Sequence, residues 1–385
     1  MAFLTTDNRE HYKKYSETFP FFGSAPEALL EGLKDFPQEV DLHVVSCLQR
    51  QITVTSADLA ENIHYRGLFV PKWGWMRTGY QGCFRAVRRE LREIQPDIVH
   101  GQGTERDCAV SAVMSGFPNV LTIHGNMQSI ARQIRAKPLS YYWLAARLER
   151  FCLAKTNGVV AISTYTKRNV ESRNKQVWLA QNAVNPVFFG IERRESHIPR
   201  LLCVAHISRW KNQIGLIKAV EPLRKEYAFD LVFAGKADST DPYAAKFLRM
   251  VAERPWCVHT GGLSRDGLIE EMAAARAVIL PSLEDNCPMA ILEASAAGLP
   301  IAASSVGGIP DLIEHGRDGV LFSPLDPDST ASAVRLLLSD PATAEKLASR
   351  AREKCLRKNS PRAVAERHLE IYREIVGLIH GTRRG

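Results

Sequence analysis

Seven residues separate Asp285 from Glu293, in a stretch whose polar groups collect at turns: residues 281–313, PSLEDNCPMAILEASAAGLPIAASSVGGIPDLI. A helix is expected to open at Pro288, since a proline's missing N–H has no intrahelical partner at the first helical position. It runs through MAILEASAA and stops at Gly298, with Pro300 just beyond. The free N–H groups at its start, those of Met289 and Ala290, point out of the N-terminus, where the helix dipole favours an anion such as a nucleotide phosphate. Glu293 lies four residues after Met289 and shares its face, so its carboxylate can accept hydrogen bonds from ribose hydroxyls. Asp285 sits in the turn that faces the same crevice. The strand IAAS follows, then Gly307-Gly308, and Pro310 opens a second helix.

Asp285-x7-Glu293, followed by Gly298-Leu299-Pro300 and then Gly307-Gly308-Ile309-Pro310, resembles the acidic-x7-Glu signature of retaining glycosyltransferases. The match is to the nucleotide-sugar-dependent family 4, of GT-B fold. That family usually carries Glu at the first acidic position. Here Asp285 stands in register, with Pro281-Ser282 before it at the family's spacing, and Glu284 is displaced by one. The resemblance implies that Asp285 orients the sugar hydroxyls and supports developing charge, and that Gly307 and Gly308 belong to the donor site.

A nucleotide-sugar donor leaves as a diphosphate, and the charge that builds on it must be stabilised. Some transferases use a metal held by Asp-x-Asp. The one such match, Asp326-Pro-Asp328, precedes a helical pattern and reads as a helix start. Without a metal, fixed cations and helix N-termini must serve, and no metal or cofactor is expected beyond the nucleotide-sugar substrate. Lys211, in HISRWKNQ, is the best cation. The resembled family has an Arg five residues before such a Lys, both on the diphosphate; this chain has His206 there, with Arg209 between as a replacement guanidinium. His124, in TIHG, matches the family's histidine facing the reactive sugar. Ser163 and Asn182 match other family positions, with a helix cap and a turn as their alternatives. Gly23-Ser24 is the counterpart of the family's glycine-rich turn, where Gly23 lets a backbone approach the donor phosphate. An ordinary helix entry is the other reading.

The elements that must hold these residues alternate. MAFLTT is a short strand, the polar tract DNREHYKKYSETFP follows, and a helix comes after Gly23-Ser24. VDLHVVSC, NIHYRGLFV, DIVHGQG, NVLTIHGN and GVVAISTYT read as strands, the last three each ending in a polar turn before a helix. His100, His124 and Ser163 are placed at strand ends, where ligands bind in such sheets. Residues 181–200 join the halves, and a second alternation begins at LLCVAHIS. Buried strands between helices imply parallel sheets with helices on both faces. The expectation is therefore an α/β chain of GT-B fold: two doubly wound Rossmann-like domains facing a cleft. The first, 1–184, takes the acceptor; the second, 185–360, takes the nucleotide sugar. By resemblance, the last helix in 361–385 crosses back to the first domain.

The chain has 385 residues, 45 % hydrophobic and 24 % charged, as in a soluble globular protein. No apolar run approaches the roughly 20 residues of a membrane span, and MAFLTTDNREHYKK has no signal-peptide core. The eight cysteines show no CxxC pair and no metal-ligand spacing, and read as reduced thiols. These features suggest a cytoplasmic protein. The net charge of +8 points to anionic partners. No nucleic-acid motif accompanies it. A loop with two tryptophans, PKWGWMRT, precedes an amphipathic helix over 82–94 with Phe84, Val87, Leu91 and Ile94 inward and arginines outward. Together they suit peripheral docking on an anionic membrane, at its inner face, as a lipid-linked acceptor requires; a packed core for Trp73 and Trp75 is the other reading. The expected activity is metal-independent retaining transfer to a glycan or lipid-linked acceptor. A GT-B nucleotide-sugar epimerase and a non-catalytic nucleotide-sugar-binding protein are the alternatives.

Overall fold

The computed structural model describes residues 1–194 and 196–382. The chain divides into two compact units, Met1–Ala183 with Pro361–Gly385, and Val184–Ser360. The first unit is built on strands β1 (Ala2–Leu4), β2 (Leu42–Leu48), β3 (Ser56–Ala60), β4 (Ile63–Phe69), β5 (Val99–Gln102), β6 (Asn119–Ile123), β7 (Gly158–Ala161) and β8 (Val177–Leu179). They form one sheet in the order β3-β4-β2-β1-β5-β6-β7-β8. All pairs are parallel except β3 with β4. β3 is missing from the sequence reading: SADLA is polar and partly exposed, as an edge strand tolerates.

The polar tract after β1 is buried at its start. Asp7, Arg9 and Glu10 are fully buried. Arg9 Nη2 donates to Asp7 Oδ2 at 2.7 Å, and Tyr65 Oη on β4 donates to the same oxygen at 2.6 Å. This paired charge holds the residues after β1 onto the sheet without leaving a lone buried ion.

The helix Pro361–Thr382 packs against the helix Ser24–Leu33 of the first unit. Their contact depends on Gly32: a Cβ there would overlap the Pro361 carbonyl. Leu369, Ile371, Tyr372 and Ile375 of the last helix are buried in the same apolar cluster as Leu29, Leu33 and Val44.

The second unit carries β9 (Arg200–Val204), β10 (Asp230–Ala234), β11 (Cys257–Gly261), β12 (Ala277–Leu280), β13 (Ile301–Ser304) and β14 (Val320–Phe322), in the order β11-β10-β9-β12-β13-β14. Every pair is parallel. The strand residues of β12 and β13 are wholly buried, as a sheet covered on both faces requires. In each unit the chain order reverses beside one strand: β1 lies between β2 and β5, and β9 between β10 and β12. The crevice at the carboxyl ends of such strands is where doubly wound sheets bind ligands.

Candidate active site

In the second unit that crevice lies between the loops after β9 and β12. The turn Arg209–Lys211 is zipped to the second loop by Leu283 N–H donating to the Trp210 carbonyl at 2.7 Å. Lys211 Nζ forms an ion pair with Asp285 Oδ2. Ser282 Oγ donates to that same oxygen at 3.1 Å, and the Asn286 amide donates to Oδ1 at 3.1 Å. The turn after β13 joins them. Gly308 N–H donates to the Asp285 carbonyl at 3.0 Å. Gly307 has φ +56°, and a Cβ there would overlap that carbonyl, so only glycine fits.

The helix Met289–Ala296 begins one residue later than the sequence suggests. Pro288 has ψ 120°, an extended conformation, and caps the helix rather than opening it. The Met289 and Ala290 amides make no hydrogen bond among the described residues and form the open N-terminus. Gly298, at φ +67°, ends the element. Glu293 is 7 % exposed, and its carboxylate accepts no hydrogen bond among the described residues. Burial pushes its pKa up to about 7, with only Arg265 acting against the shift. His206 and Arg209 are both exposed. The structure thus brings together Lys211, Asp285, Gly307 and Gly308, with Met289, Ala290 and Glu293 on the helix that follows. Asp326 caps the helix Pro327–Ser339, accepting from the Asp328 and Ser329 amides.

In the first unit, His124 follows β6. Its Nε2 donates to Gln102 Oε1 at 2.7 Å. Burial lowers the His124 pKa to about 4, so the ring is neutral near pH 7. Two acidic side chains pin the loop after it. Glu105 accepts from the Gly125 amide at 2.9 Å; Glu149 accepts from the Met127 amide at 2.9 Å, the Gln128 amide at 3.0 Å and Thr104 Oγ1 at 2.6 Å. Burial, with the Glu149 charge adding to it, raises Glu105 to about 6. Gln102, Glu105 and Glu149 were not singled out by sequence. Gln102 is the penultimate residue of DIVHGQG and the last of β5, which is the signal that places it at the carboxyl edge; Glu149 lies mid-helix and carries none.

A cavity of about 310 Å³ opens at the carboxyl edge beside β1 and β5, lined by Thr5, Gly23, Gln102, Glu105 and Arg106 among others. Gly23 precedes the helix Ser24–Leu33 with φ −65°, and a Cβ there would meet only Pro26 Cδ at 3.7 Å, so nothing in the backbone demands glycine.

His100 does not join this edge. It lies within β5, fully buried, and hydrogen-bonds Tyr372 Oη and Thr122 Oγ1, each at 2.7 Å. It is a core residue because Tyr372 of the last helix covers it. Ser163 caps the helix Thr164–Val170 by accepting from the Thr166 amide. Trp75 is buried and donates to the Val70 carbonyl at 2.9 Å, whereas Trp73 is 69 % exposed; only one tryptophan of the expected loop faces solvent.

Two Rossmann-like units with polar clusters at the carboxyl edges of their sheets define a GT-B protein. Comparison with known families agrees: residues 188–354 match "Glycosyl transferases group 1" and residues 27–188 match "Glycosyltransferase Family 4". Glycogen synthase of Mycobacterium tuberculosis is 30 % identical over 302 residues, covering 73 % of this chain and 69 % of that protein. Sucrose-phosphate synthase from Thermosynechococcus elongatus superposes with a TM-score of 0.77 at 16 % identity, over 98 % of this chain and 100 % of that one. Anabaena HepE in complex with UDP-glucose gives 0.70 at 15 % identity, over 96 % and 98 %. The chain belongs to the group 1, family 4 glycosyltransferases, and it is a glycosyltransferase.

Proposed function

We propose that the protein moves a sugar from a nucleotide-sugar donor to a glycan or lipid-linked acceptor, with retention of anomeric configuration and without a metal at the diphosphate. The arrangement in the second unit carries this reading: Lys211 and Asp285 meet at the β9–β12 crevice, beside a helix whose first amides are open and whose Glu293 carboxylate accepts no hydrogen bond among the described residues. Lys211, Arg209 and the Met289 and Ala290 amides receive the diphosphate and hold the charge that develops on it. Glu293 takes the ribose hydroxyls. Asp285 holds the transferring sugar, and the Asp285-x7-Glu293 pattern of the family supports retention. HepE, a family-fold neighbour, is described with UDP-glucose bound, which favours a nucleotide sugar here.

The acceptor belongs to the first unit, where the 310 Å³ cavity offers Gln102, Glu105 and Arg106 to sugar hydroxyls. His124, neutral and held by Gln102, steadies the reacting sugar. For a lipid-linked acceptor the protein docks on the inner face of the membrane. Among the described residues no helix is long and apolar enough to cross it. Exposed Trp73 and the outward arginines 85, 88, 89 and 92 of the helix Gln81–Ile94 supply the contact.

Titration calorimetry against UDP, GDP, ADP and their sugars identifies the donor, and NMR of the product reads the anomeric configuration. An inverted product overturns retention. Epimerised sugar from donor alone establishes the epimerase instead, and binding with no turnover across a panel of acceptors establishes a binding protein. Initial rates after brief EDTA treatment are expected to be unchanged; a rate that only Mg²⁺ or Mn²⁺ restores overturns metal independence.

A further inference from the structure

Cys47 is the penultimate residue of β2, Cys83 lies in the first turn of the helix Gln81–Ile94, and Asp107 opens the helix Asp107–Val113. Far apart in sequence, their two sulfurs and a carboxylate oxygen lie within 4.8 Å of one another. The three residues are 5 %, 0 % and 6 % exposed. The sulfurs belong to an apolar cluster with Leu4, Val45 and Val70. A carboxylate in such surroundings is costly unless something positive meets it. Among the described residues Asp107 makes no ion pair: the Cys47 thiol hydrogen-bonds it and the Arg106 charge acts on it, while the Arg106 guanidinium itself is turned to His11 Nδ1 at 3.0 Å. No step of the proposed transfer uses any of the three.

We propose that Cys47, Cys83 and Asp107 bind a zinc ion. Two thiolates and one carboxylate suit zinc, whereas calcium and magnesium prefer oxygen alone. Zn–S bonds of about 2.3 Å and Zn–O bonds of about 2.0–2.2 Å at tetrahedral angles put ligand atoms roughly 3.5 Å apart, so a cluster whose atoms lie within 4.8 Å contracts to hold the ion. Three protein ligands leave the fourth position to a water molecule. The Cys83 thiol donates to the Gly74 carbonyl at 3.9 Å, a weak contact that metal binding would replace. Binding releases the two thiol protons to solvent. The ion ties β2 to two helices of the first unit. Its role is in holding these elements, since the groups assigned to the diphosphate all lie in the second unit.

The test uses the full chain. After desalting, elemental analysis is expected to find about one zinc per chain, and replacement by Co²⁺ should give the near-ultraviolet charge-transfer band of thiolate ligation. Cys47→Ser and Cys83→Ser should each weaken that band, and the double variant should lose it. Asp107→Asn, nearly isosteric, keeps both thiols in place and should weaken Co²⁺ binding at least about tenfold. Adding Zn²⁺ to the stripped wild type should raise its melting temperature, and this needs no variant to fold. Wild-type protein with neither zinc nor the cobalt band overturns the proposal. So does a band that persists in the double variant, or a Cys47–Cys83 disulfide found by peptide mass in freshly purified protein.

Discussion

Lys211 Nζ is paired with Asp285 Oδ2, so the cation assigned to the diphosphate and the acid assigned to the sugar hold one another across the β9–β12 crevice. A donor entering this crevice presents phosphate to the first and hydroxyls to the second, and the pair must loosen to receive both. Lys211→Ala is expected to weaken nucleotide-diphosphate binding and to lower kcat, since the charge meets phosphate in ground and transition states alike. Calorimetry with the nucleotide diphosphate checks it. Affinity equal to the parent's would assign Lys211 to holding Asp285 alone.

Asp285 and its neighbour Glu284 are separable. Asp285 contacts Lys211, Ser282 and the Asn286 amide, and its carbonyl is pinned by Gly308. Asp285→Ala should cost on the order of 10²–10³ in kcat, the worth of one preorganised transition-state contact. Glu284→Ala should cost far less, while Asp285→Glu, which restores the usual family residue, should keep activity. Turnover of the three variants, with circular dichroism as the folding check, decides. A dead Glu284→Ala beside an active Asp285→Ala would move the motif's first acid to Glu284.

Glu293 makes stability depend on pH. Burial raises its pKa from the ordinary 4.5 to about 7 in the folded chain, so the folded state favours the neutral acid. The cost of ionising it is absent below pH 4.5, grows between 4.5 and 7, and is complete above 7; it is on the order of 3 kcal/mol at most. Glu293→Gln should therefore stabilise the unliganded protein at pH 8 and leave it unchanged near pH 4.5, as denaturant melts at the two pH values will show. Hydroxyls donating to the carboxylate favour its ionised form. Binding of an intact nucleotide sugar should then release protons near pH 7, which titrations in buffers of differing ionisation heat measure. No proton release would remove the ribose from Glu293.

Gln102 acts through His124. With the imidazole lowered to about 4, its titration cannot shape the rate near neutrality, and kcat should show no His124 inflection between pH 6 and 8. Gln102→Leu removes the 2.7 Å contact that aims the ring. It should lower kcat roughly tenfold to a hundredfold and leave nucleotide affinity untouched, because the donor groups lie in the other unit. A change in nucleotide affinity with kcat intact would contradict this assignment.

Membrane docking rests on Trp73 and the four outward arginines. Sedimentation with anionic vesicles should pull the protein down at low salt and release most of it at high salt, since each basic residue contributes roughly 1 kcal/mol within a Debye length. Trp73→Ala should weaken retention at both salt levels. Binding that ignores salt, or none to anionic vesicles, argues for a soluble glycan acceptor.

Much of this molecule is written locally. Gly298 after a helical run, Pro310 at a helix start, Asp326 before Pro327 and the buried runs of β9, β12 and β13 depend on neighbours a few residues away. Backbone preference and hydrophobic period therefore reveal them in sequence. So do Gly307 and Gly308, because their place in the motif marks a turn, though the reason for Gly307, the Asp285 carbonyl it clears, is a contact across the fold. What the tertiary structure alone decided are partners far apart in the chain. Asp7 and Arg9, in a tract that reads only as polar, form a buried charge network with Tyr65 of β4. Tyr372 turns His100 from an edge residue into core. Lys211 meets Asp285, Gln102 aims His124, and Cys47, Cys83 and Asp107 converge from a strand and two helices. Burial and pairing are properties of packed surfaces, so a charged residue carries no local mark of whether a distant side chain will cover it or neutralise it.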